Sequence, residues 1–357
     1  MSEKNKTNPK PNVPSRRTAI LVLGMHRSGT SALCRVLSLL GCDLPKTLDG
    51  PISSNETGHL ESSVIIKLND RILASAGSKW SDWQKFDPSW FASSNADEFR
   101  NEAVAALQNE YGDSRLFVLK DPRICRLAGF WTETFKQAGV EPLIITSVRN
   151  PLEVAYSLER RNGFVPALGH LLWLRHVLEA EHASRGLRRF FTSYNQLMTD
   201  WSKLAEKAQT TLRISFPKLS SQVAGEVDSI LLQRHRHYRE PISSVIDNPK
   251  LSNWVRDTFA ILDNWATNGE NVAEFDALDR IKAEYNAVAP TFGQLVAELQ
   301  QALDTTREGL AKAEAKESEV FAEKEMMLAS ASWRLTAPTR AIHRLLRPVL
   351  TRRARRR

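Results

Sequence analysis

The chain is poor in the residues that would let it be stapled or threaded through a bilayer. Only three cysteines occur in 357 residues, Cys34, Cys42 and Cys125. They form no CxxC pair and no even-numbered set. That argues against a disulfide scaffold and a structural zinc site, and it suits a reducing, cytoplasmic setting. Long apolar runs are missing: a stretch such as Ala19 to Leu23 is far below the ~20 residues that span a membrane. Residues 1–17 carry three prolines and four Lys/Arg before Arg17 but no apolar h-region, so a disordered arm is expected rather than a signal peptide. Internal repeats of 20 to 50 residues are not visible. Histidines His235 and His237 are interleaved with Arg234 and Arg236 and have no evident carboxylate partner, so no metal site is expected.

What is present is ordinary in bulk and uneven in charge. Hydrophobic residues make up 42% and charged residues 25%, a globular composition. The net charge is +8, yet the last 18 residues, Arg340 to Arg357, hold eight of the 49 basic side chains and no acidic one. Residues 1–339 are thereby left with 41 basic against 41 acidic groups, a net of zero. A nucleic-acid-binding body would be basic as a whole or along one face, so no specific nucleic-acid partner is expected.

Thr18 to Gly24 is a continuous, partly β-branched apolar run and reads as a buried parallel strand. The loop from His26 to Gly29 follows. Thr30 to Leu40 then has Leu33, Val36, Leu37 and Leu40 at helical spacing, with Gly41 at the C-cap. Leu116 to Lys120 is strand-like, Arg123 to Ala138 helical, and Leu143 to Arg149 a second buried strand. Pro151 opens another helix, and Arg188 to Ser193 is a further strand. This alternation predicts an α/β fold: a P-loop-like parallel sheet flanked by helices. Ligands of such sheets sit at the carboxyl ends of the strands, where Lys120, Arg149 and the loop after Gly24 all fall.

Gly24-Met-His-Arg-Ser-Gly29-Thr30-Ser31 has P-loop spacing between strand and helix, a natural anion cradle of backbone N–H groups. The position after Gly29 is Thr30, where nucleoside triphosphate binding calls for Lys. Arg27 supplies a cation from inside the loop instead, as a planar fork suited to a tetrahedral oxyanion. A bare strand-to-helix turn is the bland alternative.

With these residues in hand, the chain resembles the sulfotransferase family, in its bacterial and carbohydrate- or tyrosyl-protein-like branch. Gly24 to Leu33 looks like the family's 5′-phosphosulfate loop with an R-S-G-T core. Arg149-Asn-Pro-Leu-Glu-Val-Ala-Tyr-Ser157 looks like its 3′-phosphate motif, and Lys120-Asp-Pro-Arg123 is similar to an active-site K-D-P element. The likeness spans roughly Thr18 to Ser215. It implies 3′-phosphoadenosine-5′-phosphosulfate (PAPS) as co-substrate, without a metal, and transfer of a sulfuryl group to a hydroxyl or amine. Cofactor-binding residues would be Arg27, Ser28, Gly29, Thr30, Ser31, Arg149, Ser157 and Tyr194. Tyr194 resembles the family's Y-E-x-L element, although Asn195 replaces the Glu. Arg27, Lys120 and Glu61 would be catalytic. Glu61, in a G-H-x-E element, is the favoured base, with His59, Glu56 and Asp121 in reserve. Its rival reading is a charge at the start of a helix carrying Val64, Ile65, Leu68 and Ile72. Taken alone, Arg149 could be a surface ion pair and Ser157 a solvated hydroxyl. Ser157 lies two turns, about 10–12 Å, into its helix, so both can face one anion only if that helix folds back past the strand end. Trp80 and Trp83 could stack on a sugar or simply be core. A kinase or NTPase lacks its Lys here, and an inactive scaffold is the third reading.

The expected domains are an arm at 1–17, a sulfotransferase-like domain at 18–290, a coiled coil or long helix at 291–331 and a basic amphipathic tail at 332–357. Phe292, Val296, Leu299, Leu303, Leu310, Val320 and Met327, with Thr306, Ala313, Glu317 and Lys324 filling the weaker seam positions, fall on three- and four-residue steps, which suggests homo-oligomerisation. Ser330-Ala-Ser-Trp333-Arg-Leu-Thr-Ala-Pro338 resembles a segment at the ends of bacterial glycan-synthesis proteins, pointing to a cell-surface glycan or glycolipid acceptor. The Arg-rich end suits peripheral contact with an anionic membrane, each Arg near the lipid contributing about 1 kcal/mol.

Overall fold

The computed structural model describes residues 16–48, 60–232 and 240–342. Glu56, His59, His235 and His237 lie outside the described residues, as do residues 1–15 of the arm and 343–357 of the tail. In chain order come β1 (Thr18–Leu23), α1 (Thr30–Leu39), α2 (Ser63–Ser75), α3 (Ser94–Tyr111), β2 (Leu116–Lys120), α4 (Ala128–Gln137), β3 (Glu141–Val148), α5 (Pro151–Asn162), α6 (Pro166–Ala183) and β4 (Arg189–Ser193). There follow α7 (Tyr194–Thr199), α8 (Trp201–Leu212), α9 (Ser221–Leu232), α10 (Ser243–Ile246), α11 (Asn253–Asn268), α12 (Phe275–Ala329) and α13 (Ala331–Leu335).

The four strands form one parallel sheet in the order β2-β1-β3-β4. Both faces are covered, because side chains alternate across a strand. Ile20 and Val22 of β1 join a core with α1, α8 and α9, whereas Ala19, Leu21 and Leu23 join one with α2, α3 and α4. The fold is therefore the expected α/β class. The chain leaves β1 toward β2 on one side and returns to β3 on the other, so a crevice opens between the carboxyl ends of β1 and β3. The loop after β1 and Arg149 after β3 flank it. Helix α5 runs from this edge and packs closely on α6: a Cβ on Gly169 would come within 2.8 Å of Ala155 Cα.

Two local expectations change. The helix expected from Arg123 is a 3₁₀ turn, Pro122–Arg126, followed by α4. Asp121 closes it by accepting from Arg123 N at 3.0 Å, and i→i+3 bonds such as Ile124 N to Asp121 O at 2.9 Å carry the turn. The long helix begins at Phe275, not near residue 290. Its early stripe Leu278, Ile281, Tyr285 and Ala289 is buried. The chain divides into compact units at Pro290, the second being Thr291–Arg357. The change of character there is the loss of a core-facing stripe inside a continuing helix. Phe292, Leu299, Leu310, Val320 and Met327 are all exposed. Among the described residues no helix is long and apolar enough to cross a membrane.

Candidate active site

The loop after β1 is held open by steric need. A Cβ on Gly24 (φ 149°) would lie 2.8 Å from Ser147 O, and Gly24 N donates to Cys125 Sγ at 3.2 Å. Gly29 (φ 82°) faces the Tyr194 ring, where a Cβ would sit 2.2 Å from Cδ2. Between them Arg27 takes φ 71°, a left-handed conformation uncommon outside glycine. Two donors, one at the end of β3 and one just after it, hold this turn: Ser147 Oγ to Ser28 O at 2.8 Å, and Arg149 Nη1 to Arg27 O at 2.7 Å. No side chain caps α1, so its first N–H groups point into the loop. Ser28 Oγ is buried with no partner among the described residues. Thr30 is buried at the first position of α1, and Ser31 follows it.

Arg27 Nε donates to Ser157 Oγ at 2.7 Å, so the two residues meet although 130 apart in sequence. Burial, and secondarily Arg149, holds the Arg27 guanidinium below its ordinary value. Arg149 Nε pairs with Glu153 Oε2 at 2.7 Å, and its guanidinium lies 4.5 Å over the Tyr194 ring. The Glu153 side chain is buried and also accepts from Glu240 N at 3.0 Å. Arg149 is thus a brace for the loop as well as a cation at its edge. Arg149, Ser193, Tyr194, Phe259, Asp263 and Thr267 line a cleft of about 270 Å³ beside it.

On the other side of the loop, Lys120 Nζ at the end of β2 reaches Ser31 Oγ at 3.0 Å and is hydrogen-bonded to Glu61 Oε1. The Lys120 and Glu61 side chains are only 2% and 7% exposed, so the pair is desolvated. Burial raises the Glu61 carboxyl above its ordinary value, Lys120 opposes this, and Asp121 adds to it. Glu61 does not cap the next helix. Ser62 does, accepting from Ile65 N at 3.1 Å, while Val64 is exposed. Asp121, a reserve base, is fully engaged: Asn69 Nδ2 donates to it at 2.9 Å and Arg123 Nη1 at 2.9 Å. Trp83 is core, beside Tyr285 at 5.7 Å between ring centres. Trp80 is half-buried and tilts on His26 at 4.4 Å.

Two residues at the site went unremarked in the sequence. His26 is buried, its Nε2 has no partner among the described residues, and burial with Arg161 holds it well below the ordinary imidazole range. Arg161, one turn after Ser157 on α5, lies 5.6 Å over the Trp80 ring. Its four-residue spacing from Ser157 was the available signal. Among the described residues no group of three or more His, Cys, Asp or Glu could hold a metal. Chemically, the arrangement is an anion cradle with a cation inside it, a second cation at its lip, and a buried Lys–carboxylate pair touching the first turn of α1.

No family model matches the chain, and no curated protein is matched by sequence. Among solved structures, it is similar to a sulfotransferase domain from the Synechococcus PCC 7002 olefin synthase at 18% identity and a TM-score of 0.39, over 70% of this chain and 98% of that one. A sulfotransferase domain from the curacin biosynthetic pathway aligns at 15% identity and TM-score 0.38, over 69% and 98%. A mouse sulfotransferase complexed with PAP aligns at 16% and 0.31, over 81% and 90%.

Proposed function

We propose that the chain is a sulfotransferase that moves a sulfuryl group from PAPS to a hydroxyl, or an amine, of a glycan or other acceptor. The observation that supports this best is the Ser31–Lys120–Glu61 contact beside a phosphate-type loop whose cation is Arg27. In this reading the loop N–H groups, with Ser28, Gly29, Thr30 and Ser31, cradle the 5′-phosphosulfate. Arg27 stabilises the charge that grows on the departing 5′-phosphate. Arg149 and Ser157 serve the 3′-phosphate and Tyr194 the adenosine. Lys120 donates to the sulfuryl oxygens. Glu61 accepts the proton as the acceptor oxygen forms its bond to sulfur and the S–O bond to the 5′-phosphate breaks. The desolvated carboxylate is a stronger base than an exposed one, which suits that task.

The test is calorimetry with adenosine 3′,5′-bisphosphate, adenosine 5′-monophosphate and ATP–magnesium. The bisphosphate should bind most tightly. Preference for ATP–magnesium, or indifference to the 3′-phosphate, refutes the reading. Self-association through residues 291–331 and membrane contact by the basic tail complete this proposal. The exposed apolar positions of α12 favour the first.

A further inference from the structure

Five cations converge on the site, and their acidic partners divide them. Arg149 pairs with Glu153, Lys120 with Glu61, and Arg123 with Asp70 and Asp121. Arg27 and Arg161 have no carboxylate partner among the described residues. Arg27 lies inside the loop, where a donor phosphate would meet it. Arg161 does not. Its Nε is bonded to the neighbouring Asn162 Oδ1 at 2.7 Å, and its charged neighbours are Arg27, Glu61 and Arg123, with no carboxylate at ion-pair distance among the described residues. Burial and then Arg27 push its guanidinium down to about 10 while Glu61 opposes them, so the group stays cationic at neutral pH.

Helix α5 acts as a ruler across the site. Residues four apart share a face, each about 6 Å from the last. Glu153 meets Arg149, Ser157 meets Arg27, and Arg161 meets Trp80. The first two steps lie at the groups assigned to the donor. The third lies one turn beyond the loop, beside the half-buried indole of Trp80, which also contacts Phe164 at 5.8 Å.

We propose that the acceptor carries an anionic group, a carboxylate, sulfate or phosphate, and that Arg161 pairs with this group while the Trp80 indole covers the adjoining flat face of the acceptor. The proposal rests on the sulfotransferase reading, which decides which end of α5 faces the donor. Guanidinium matches all three anions in the same forked geometry. An indole face takes a sugar or an aromatic ring alike.

The test uses protein saturated with adenosine 3′,5′-bisphosphate, titrated with 4-hydroxyphenylacetate and with its neutral amide. The two probes share a flat ring and a hydroxyl and differ in charge. The carboxylate should bind at least ~10-fold more tightly. In Arg161→Gln that preference should fall below about threefold, with bisphosphate affinity unchanged within about twofold. Trp80→Leu should weaken both probes together. Circular dichroism confirms folding, which Arg161→Gln should leave intact because, among the described residues, the side chain's hydrogen bond is to the adjacent Asn162 and its other contact is the Trp80 ring. Equal binding of the two probes, no binding of the carboxylate, or a preference that survives in Arg161→Gln overturns the proposal. A tenfold loss of bisphosphate affinity in Arg161→Gln would instead assign the residue to the donor. Failure of wild type to bind the bisphosphate would sink the sulfotransferase reading itself, a step earlier and visibly different.

Discussion

Replacing Glu61 by Gln separates chemistry from architecture at the buried pair. Glutamine keeps an oxygen to accept from Lys120 but cannot take a proton. A positioned general base contributes about 10²–10⁴ in rate, so turnover should fall by that factor, or ~3–5 kcal/mol of barrier. Nucleotide affinity should hold, because Glu61 does not belong to the loop. Stability should suffer less than the ~3–5 kcal/mol typical of breaking a buried ion pair, since Lys120 keeps Ser31 Oγ at 3.0 Å. About 1–3 kcal/mol is expected, read as a lower urea midpoint. The pH profile gives an independent check. Burial raises the Glu61 carboxyl, and only the carboxylate can act as base, so the acid limb of kcat/KM should lie above the ordinary value of 4.5. Activity falls as pH drops through that raised value, and the limb should vanish in Glu61→Gln. A variant that keeps more than about a third of the wild-type rate, or retains the limb, would remove Glu61 from the role.

Gly29→Ala should cost about 1–3 kcal/mol and weaken bisphosphate binding, from positive φ and a 2.2 Å approach to Tyr194. Trimming Tyr194 to Leu should recover only the part due to the clash, seen as partial restoration of the melting temperature; full restoration would show that φ carries no cost. Arg27→Ala should reduce bisphosphate affinity about 10- to 100-fold with little change in stability, whereas Arg149→Ala should also destabilise by about 1–3 kcal/mol, because buried Glu153 loses its Arg149 partner and keeps only its other contacts, such as Glu240 N. Equal melting temperatures for the two variants would contradict the brace. His176 is fully buried, and burial lowers it from 6.5 to about 3. Its neutral form contributes stability that is fully present above 6.5 and is lost as pH falls from there toward 3, by at most about 1.4 kcal/mol per pH unit. Urea midpoints measured across that window should slope less in His176→Asn; parallel slopes would refute the assignment.

Much of the architecture was legible because its causes are local. The β1 run, the glycines at the turn and the helical spacing after Thr30 reappear where the chain pattern put them. The 3₁₀ turn after Asp121 was missed because it depends on one side chain closing on Arg123 N. The start of α12 was missed because Leu278, Ile281 and Tyr285 reveal their stripe only once there is a core to receive it. Arg161 went unnoticed in a run of charges, Glu159-Arg160-Arg161, that looks like any solvated helix end.

The amino-acid sequence by itself determined the parallel sheet, the glycine-bounded turn after β1 and Thr30 where a nucleoside-triphosphate loop has Lys, since these follow from side-chain periodicity, from backbone angles that glycine allows and from residue identity. It also contained every charged group of the site. Which charge neutralises which was decided only by the tertiary structure. Lys120 finds Glu61 across 59 residues and Ser31 across 89. Arg149 reaches Arg27 O across 122 residues. The reason is physical: an ion's partner depends on distance and local dielectric, and for residues this far apart both quantities exist only after folding.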